Sequence, residues 1–151
     1  MHLLCNPFPR FESPAALKLT KPIHVLGIGS PFGSDTLGWD VIDELAKHET
    51  GFVLHKLLNP MLELLPAING AGSVIVVDMV VGGGEDEFFF DHYSKWQPKG
   101  KLFSSHGLGV MEALKVAENL GELPGRCFVF GVSDRTELNN IFCRISAFLS
   151  V

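Results

Sequence analysis

Apolar and polar positions fall into blocks along the chain, and each block carries the period of one kind of element. After Pro22, "IHVLGIG" is a β-branched apolar run that ends in glycines, as a buried strand entering a turn does. "SDTLGWDVIDELAKH" then places Leu37, Val41, Ile42 and Leu45 at helical intervals, with acidic residues early and Lys47 and His48 late, the order the helix dipole favours. "GFVLHKLL" predicts a second strand, and "PMLELLPAING" a short helix that Pro60 starts and Asn69-Gly70 stops. "SVIVVD" is the most strand-like segment; it is too continuously apolar to be half exposed, which predicts a place in the middle of a sheet with Asp78 as its last residue. "GGGEDEFFFDHYSKWQPKGKLF" is turn-rich and predicts an edge strand around residues 88–90, followed by an irregular excursion. A helix follows "SSHGLGV". "RCFVFGV" reads as a last strand, and "TELNNIFCRISAFL" as a last helix with Leu138, Ile141, Phe142, Ile145 and Phe148 on one face.

Strand and helix alternate without an internal repeat or a linker. The expected fold class is therefore α/β, a three-layer αβα sandwich around a mostly parallel sheet of about five strands. It would occupy residues 23–151 as a single domain, after an irregular N-terminal arm at residues 1–22. A chain of 151 residues suits one core. The opening lacks a basic stretch followed by a sustained apolar core, so it does not read as a signal peptide.

Composition narrows the partners. With 46% hydrophobic residues, 19% charged and a formal net charge of −5, the chain is globular in type rather than disordered. Its 12 lysines and arginines are scattered, leaving neither a phosphate-tracking stripe for nucleic acid nor a polybasic membrane patch. The longest apolar run, "SVIVVDMVV", is far shorter than the ~20 residues a spanning helix needs, and Asp78 breaks it. Cys5, Cys127 and Cys143 are odd in number and far apart, with no C-x-x-C pair. That argues against a disulfide framework and a cysteine-rich zinc site, and a reducing cytoplasm is the expected setting. A monomer is the expected state.

In a parallel α/β sheet, ligands bind in the crevice outside the carboxyl ends of the strands. Three residues are expected there: Asp35 in the loop after the first strand, Asp78 at the end of the central strand, and His106 where a helix begins. Two carboxylates and an imidazole suit a divalent transition metal and leave positions open for water or substrate. At a helix N-terminus the dipole disfavours imidazolium and keeps the ring neutral for ligation. Each residue also has a structural reading. Asp35 could sit in a turn or cap a helix, Asp78 could accept backbone N–H groups of the following loop, and His106 could be a structural histidine.

Other chemistries fit less well. "GIGSPFG" offers Gly27, Gly29 and Gly33 to a dinucleotide, yet Pro31 and Phe32 crowd the turn and the second strand lacks the expected ribose-binding acid. No G-x-S-x-G elbow is present, and Ser104-Ser105 have no motif of a nucleophile. HExxH is absent too, and neither Glu63 nor Asp40 has a motif that would bring it to a metal as general base.

Three blocks carry a resemblance. "VLGIGSPFGSDTLGWDVIDEL" resembles the opening of the hydrogenase maturation proteases, where a strand runs into G-N-x-L-x-G-D-D-G-x-G and then a helix. "VIVVDMVVGGG" is similar to that family's V-D-A strand end, and "SSHGLGVMEALKVAENLGELPGRCFVFGV" to its S-S-H-x-L-G-L helix and late strand, so the likeness spans roughly residues 23 to 133. The resemblance implies an αβα sandwich and an endopeptidase that removes the C-terminal extension of a nickel–iron hydrogenase large-subunit precursor after nickel insertion. By motif it makes Asp35, Asp78 and His106 both the metal ligands and the catalytic set. The metal would be nickel carried in by the precursor, with zinc or cadmium able to occupy the same ligands.

The chain also departs from the pattern. Ser30 and Ser34 replace the family's Asn and first Asp in a loop one residue short, "LNPM" at residues 58–61 replaces G-T-x-G, and the late G-x-x-L-S-x-x-V stretch is missing. These departures motivate the alternative of a non-proteolytic descendant that binds a metal or a partner.

Overall fold

In this computed structural model the described residues are 19–30, 36–48, 51–81, 88–95, 102–103, 107–133 and 136–148. The elements in chain order are β1 (Ile23–Ile28), α1 (Leu37–Ala46), β2 (Val53–Leu57), α2 (Pro60–Ile68), β3 (Ser73–Val81), β4 (Phe88–His92), β5 (Leu102–Phe103), α3 (Gly107–Asn119), β6 (Cys127–Ser133) and α4 (Leu138–Phe148). The sheet order is β2-β1-β3-β6-β4, with β5 added to the end of β3. β2, β1, β3 and β6 run parallel, while β4 and β5 pair antiparallel.

The apolar runs end up where their patterns predict. "SVIVV" lies in the middle of the sheet between β1 and β6, and Val74, Ile75, Val76 and Val77 are buried on both faces. Alternation along the strands divides the core in two. Leu26, Ile28, Val74, Val76 and Val80 pack against Leu64, Ala67 and Ile68 of α2 and Val110 and Leu114 of α3. Ile23, Val25, Ile75, Val77, Phe130 and Val132 pack against Val41, Ile42 and Leu45 of α1 and Ile141 and Ile145 of α4. The result is the expected αβα sandwich.

Several features differ from the sequence reading, among them the start of α3, which lies at Gly107 inside the block expected to precede it. β3 does not stop at Asp78 but runs three residues further to Val81, because β6 continues the parallel ladder to Val80↔Ser133 and β5 adds the antiparallel pairs Val80↔Phe103 and Val81↔Leu102. β5 itself, two residues long, lies in the stretch expected to be irregular; two residues are too few to display a period. The edge strand expected around residues 88–90 is present as β4, paired among the described residues only with β6.

α1 lies unusually close to β1. A Cβ on Gly27 would run into the Gly38 carbonyl and Ile42, and one on Gly38 would run into the Ile28 carbonyl, so both positions admit only glycine without backbone movement. The chain before β1 is tied down by Thr20 N–H donating to Ser73 Oγ (2.7 Å) and Gly72 N–H donating to the Pro22 carbonyl (2.8 Å). Cys127 is a free buried thiol, its pKa pushed up to about 12 by burial and then by Glu118. Cys143 is disulfide-bonded, which cysteine spacing along the chain did not anticipate. Among the described residues no helix is long and apolar enough to cross a membrane.

Candidate functional site

The crevice that matters opens between β1 and β3. The chain leaves β1 for β2 through α1 on one face of the sheet, and reaches β6 after β3 through α3 on the other. Diverging connections of this kind make a switch point, where the strand ends leave room for a ligand. The last β1–β3 pair is Gly27↔Val77, so Asp78 is the first β3 residue beyond it, still paired with Gly131 on the β6 side.

Asp78 is only 3% exposed. It has the register of Val76 and Val80, which face the layer of α2 and α3. Its Oδ1 accepts the N–H of Met79 at 2.8 Å. A carboxylate this deep is costly unless hydrogen bonds or a cation serve it, which makes its position at the crevice informative. α3, in the same layer, begins at Gly107, the residue after His106 in sequence.

Asp35 and His106 both lie outside the described residues, as do Pro31, Phe32, Gly33, Ser34, Ser104 and Ser105. Of the three expected ligands the structure therefore describes Asp78. Among the described residues no group of three or more His, Cys, Asp or Glu side chains is placed to hold a metal ion.

What the structure adds is the anchoring on either side of residues 31–35. The Leu57 carbonyl at the end of β2 accepts two hydrogen bonds at 3.1 Å, from the Gly29 N–H just after β1 and from Trp39 Nε1 in the first turn of α1. The Trp39 ring is held in turn by Lys56, whose Nζ lies 5.7 Å from its centroid and pairs with Asp43 at 2.6 Å. One carbonyl thus ties the exit of β1 and the entry of α1 to the same point. No periodicity or motif marks Trp39 or Leu57, because their partners come from strand order rather than from neighbouring residues. Trp39→Phe keeps the ring and removes the donor. It is expected to cost about 1 kcal/mol of stability, the ordinary net value of one hydrogen bond, and to raise the exchange rate of the Gly29 amide; unchanged exchange would show that Leu57 holds Gly29 without Trp39.

Two carboxylates considered as general bases have other employment. Glu63 Oε1 accepts the N–H groups of Leu58 (3.0 Å) and Asn59 at the start of α2, and Asp40 Oδ2 accepts the Thr36 hydroxyl (2.9 Å) at the start of α1. Around the turn that replaces G-T-x-G, Leu58, Met61 and Leu62 are exposed, Leu62 by 75%. Met61 lies beside the first turn of α3, its Cγ 4.0 Å from where a Cβ on Gly109 would stand.

This arrangement of layers and strands is that of the hydrogenase maturation proteases. A [NiFe] hydrogenase maturation protease HybD from Thermococcus kodakarensis superposes with a TM-score of 0.60 at 18% identity, covering 85% of this chain and 95% of the other. The hydrogenase maturating endopeptidase HybD from E. coli gives 0.53 at 17% identity, covering 85% and 88%. A [NiFe] hydrogenase maturation protease HycI from Thermococcus kodakarensis KOD1 gives 0.53 at 21% identity, covering 85% and 89%. No protein-family model matches the chain, and no curated protein sequence does.

Proposed function

We propose that the chain is an endopeptidase of the hydrogenase-maturation type, cutting the C-terminal extension from a nickel–iron hydrogenase large-subunit precursor once nickel has been inserted. The observation that carries the reading is Asp78, a carboxylate 3% exposed at the switch point between β1 and β3. The likeness in fold to the HybD and HycI proteins supports it, as does the S-S-H-x-L-G block that runs into α3.

In this reading Asp35, Asp78 and His106 capture the nickel that the precursor carries, so the metal is part of the substrate and its presence licenses cutting. A carboxylate pair with a neutral imidazole is a suitable donor set for a divalent transition metal, nickel in the cell or zinc or cadmium in its absence. A metal ion there would polarise the scissile carbonyl or a water beside it. The chain's own part is to hold the two carboxylates and the imidazole with positions left open, and to bring the cleavage segment past Leu58, Met61 and Leu62 on its way to α3.

The test is to incubate the purified protein with a large-subunit precursor in nickel-loaded and nickel-free form and to weigh the products. The loaded form should be shortened at its C-terminus and the nickel-free form left intact. Equal cutting of both would remove nickel recognition from the reading, while metal binding without any cutting would favour the non-proteolytic descendant.

A further inference from the structure

On the opposite side of β1 from β3, two histidines meet head to head. His24 on β1 is 6% exposed, and its Nδ1 lies 2.9 Å from the Ala67 carbonyl of α2 and 3.1 Å from Nε2 of His55 on β2. The ring centroids are 5.1 Å apart, with the planes 23° from parallel. His55 also opens onto a cleft of about 390 Å³ lined by Leu62, Glu63, Pro66 and Ala67.

The partners dictate where the protons sit. A carbonyl only accepts, so His24 Nδ1 carries a hydrogen that is shared between Ala67 and His55. His55 Nε2 must then be the bare acceptor, with the ring's proton on Nδ1. A further proton on Nε2 would set two N–H groups against each other across 3.1 Å.

The charged groups around the pair have other partners. α2 carries one titratable side chain, Glu63, already engaged by the Leu58 and Asn59 amides. On β2 the neighbouring Lys56 alternates to the other face, where it pairs with Asp43 of α1. On β3 the register partner of His24 is Val74, followed on that face by Val76, and neither ionises. Glu63 lines the same cleft as His55, but its Oε1 is held by the two amides at the start of α2.

We propose that His24 and His55 form a proton-operated latch. Neutral, the pair ties the edge strand β2 and the C-terminal half of α2 to β1; with a further proton taken from solvent, the imidazoles repel and β2 loosens. β2 is one of the two outer strands of the sheet, hydrogen-bonded on one side only among the described residues, and so needs only one ladder broken to come free. Its loosening would also withdraw the Leu57 carbonyl from Gly29 and Trp39. The latch stands on its own geometry and does not depend on the endopeptidase reading.

Burial, and then His24, hold the His55 pKa below its ordinary 6.5. A histidine whose folded pKa is depressed favours the folded state in its neutral form. The stability it brings is complete above the unfolded value and is lost as pH falls below 6.5.

The experiment compares thermal unfolding of wild type and His55→Gln at about pH 7.5 and about pH 5.5, with ring nitrogen shifts followed by NMR in the wild type. Gln accepts from His24 but does not titrate. Other groups contribute equally to both proteins, so the wild type should lose about 3 °C more of Tm on acidification than the variant. His55 Nε2 should be unprotonated near neutrality, and the ring should titrate below 6.5. An equal acid loss in both proteins would overturn the latch. So would a protonated Nε2 at neutral pH or titration of His55 at or above 6.5. If His55→Gln does not fold, the wild-type nitrogen shifts decide alone.

Discussion

Asp78→Ala and His106→Ala are each expected to lose at least about 100-fold in cleavage of the nickel-loaded precursor, because groups that merely orient a metal ligand already cost 10–100-fold when removed. Stability separates this from a structural role for Asp78. The bond its Oδ1 accepts from the Met79 amide is worth about 1 kcal/mol if the residue only tidies the strand. A carboxylate 3% exposed, however, is itself costly to bury, and its removal offsets part of that loss. Asp78→Ala should therefore change Tm by no more than about 4 °C while cutting is lost. A variant that still cuts, or one that loses Tm in step with activity, would return Asp78 to a structural part.

Gly38→Ala should cost about 2 kcal/mol, or roughly 4–8 °C of Tm in a domain this size. Alanine is the better helix former and would gain up to about 1 kcal/mol at an exposed helical site. Here the added methyl would collide with the Ile28 carbonyl, and backbone cannot rotate away as a side chain can. α1 would have to lift from β1, carrying Trp39 away from Leu57. Gly125→Ala is the control, since a Cβ there meets nothing within 4 Å. Thermal unfolding of the two variants checks the argument, and equal midpoints would show that α1 can shift at little cost.

Much of the fold was legible as period. Val41, Ile42 and Leu45 repeat at helical spacing and are the buried face of α1; Val74 to Val77 form an unbroken apolar run and lie in the sheet centre. Pro60 and Asn69-Gly70 mark the ends of α2 because the missing N–H and the positive φ of Gly70 are local properties. Asp78 was legible for the same reason, as a lone carboxylate in a β-branched run.

The amino-acid sequence by itself therefore determined which faces are buried, the order of elements apart from the two-residue β5, the α/β class and the carboxylate at the crevice, since each depends on residues a few positions apart. The tertiary structure alone decided that β3 continues past Asp78 to Val81, that one Leu57 carbonyl holds both Gly29 and Trp39, that Gly38 touches the Ile28 carbonyl, and that His24 meets His55 and Ala67. These contacts join residues far apart along the chain, and a hydrogen bond or a steric contact between them exists only once strand order and register bring the two ends together.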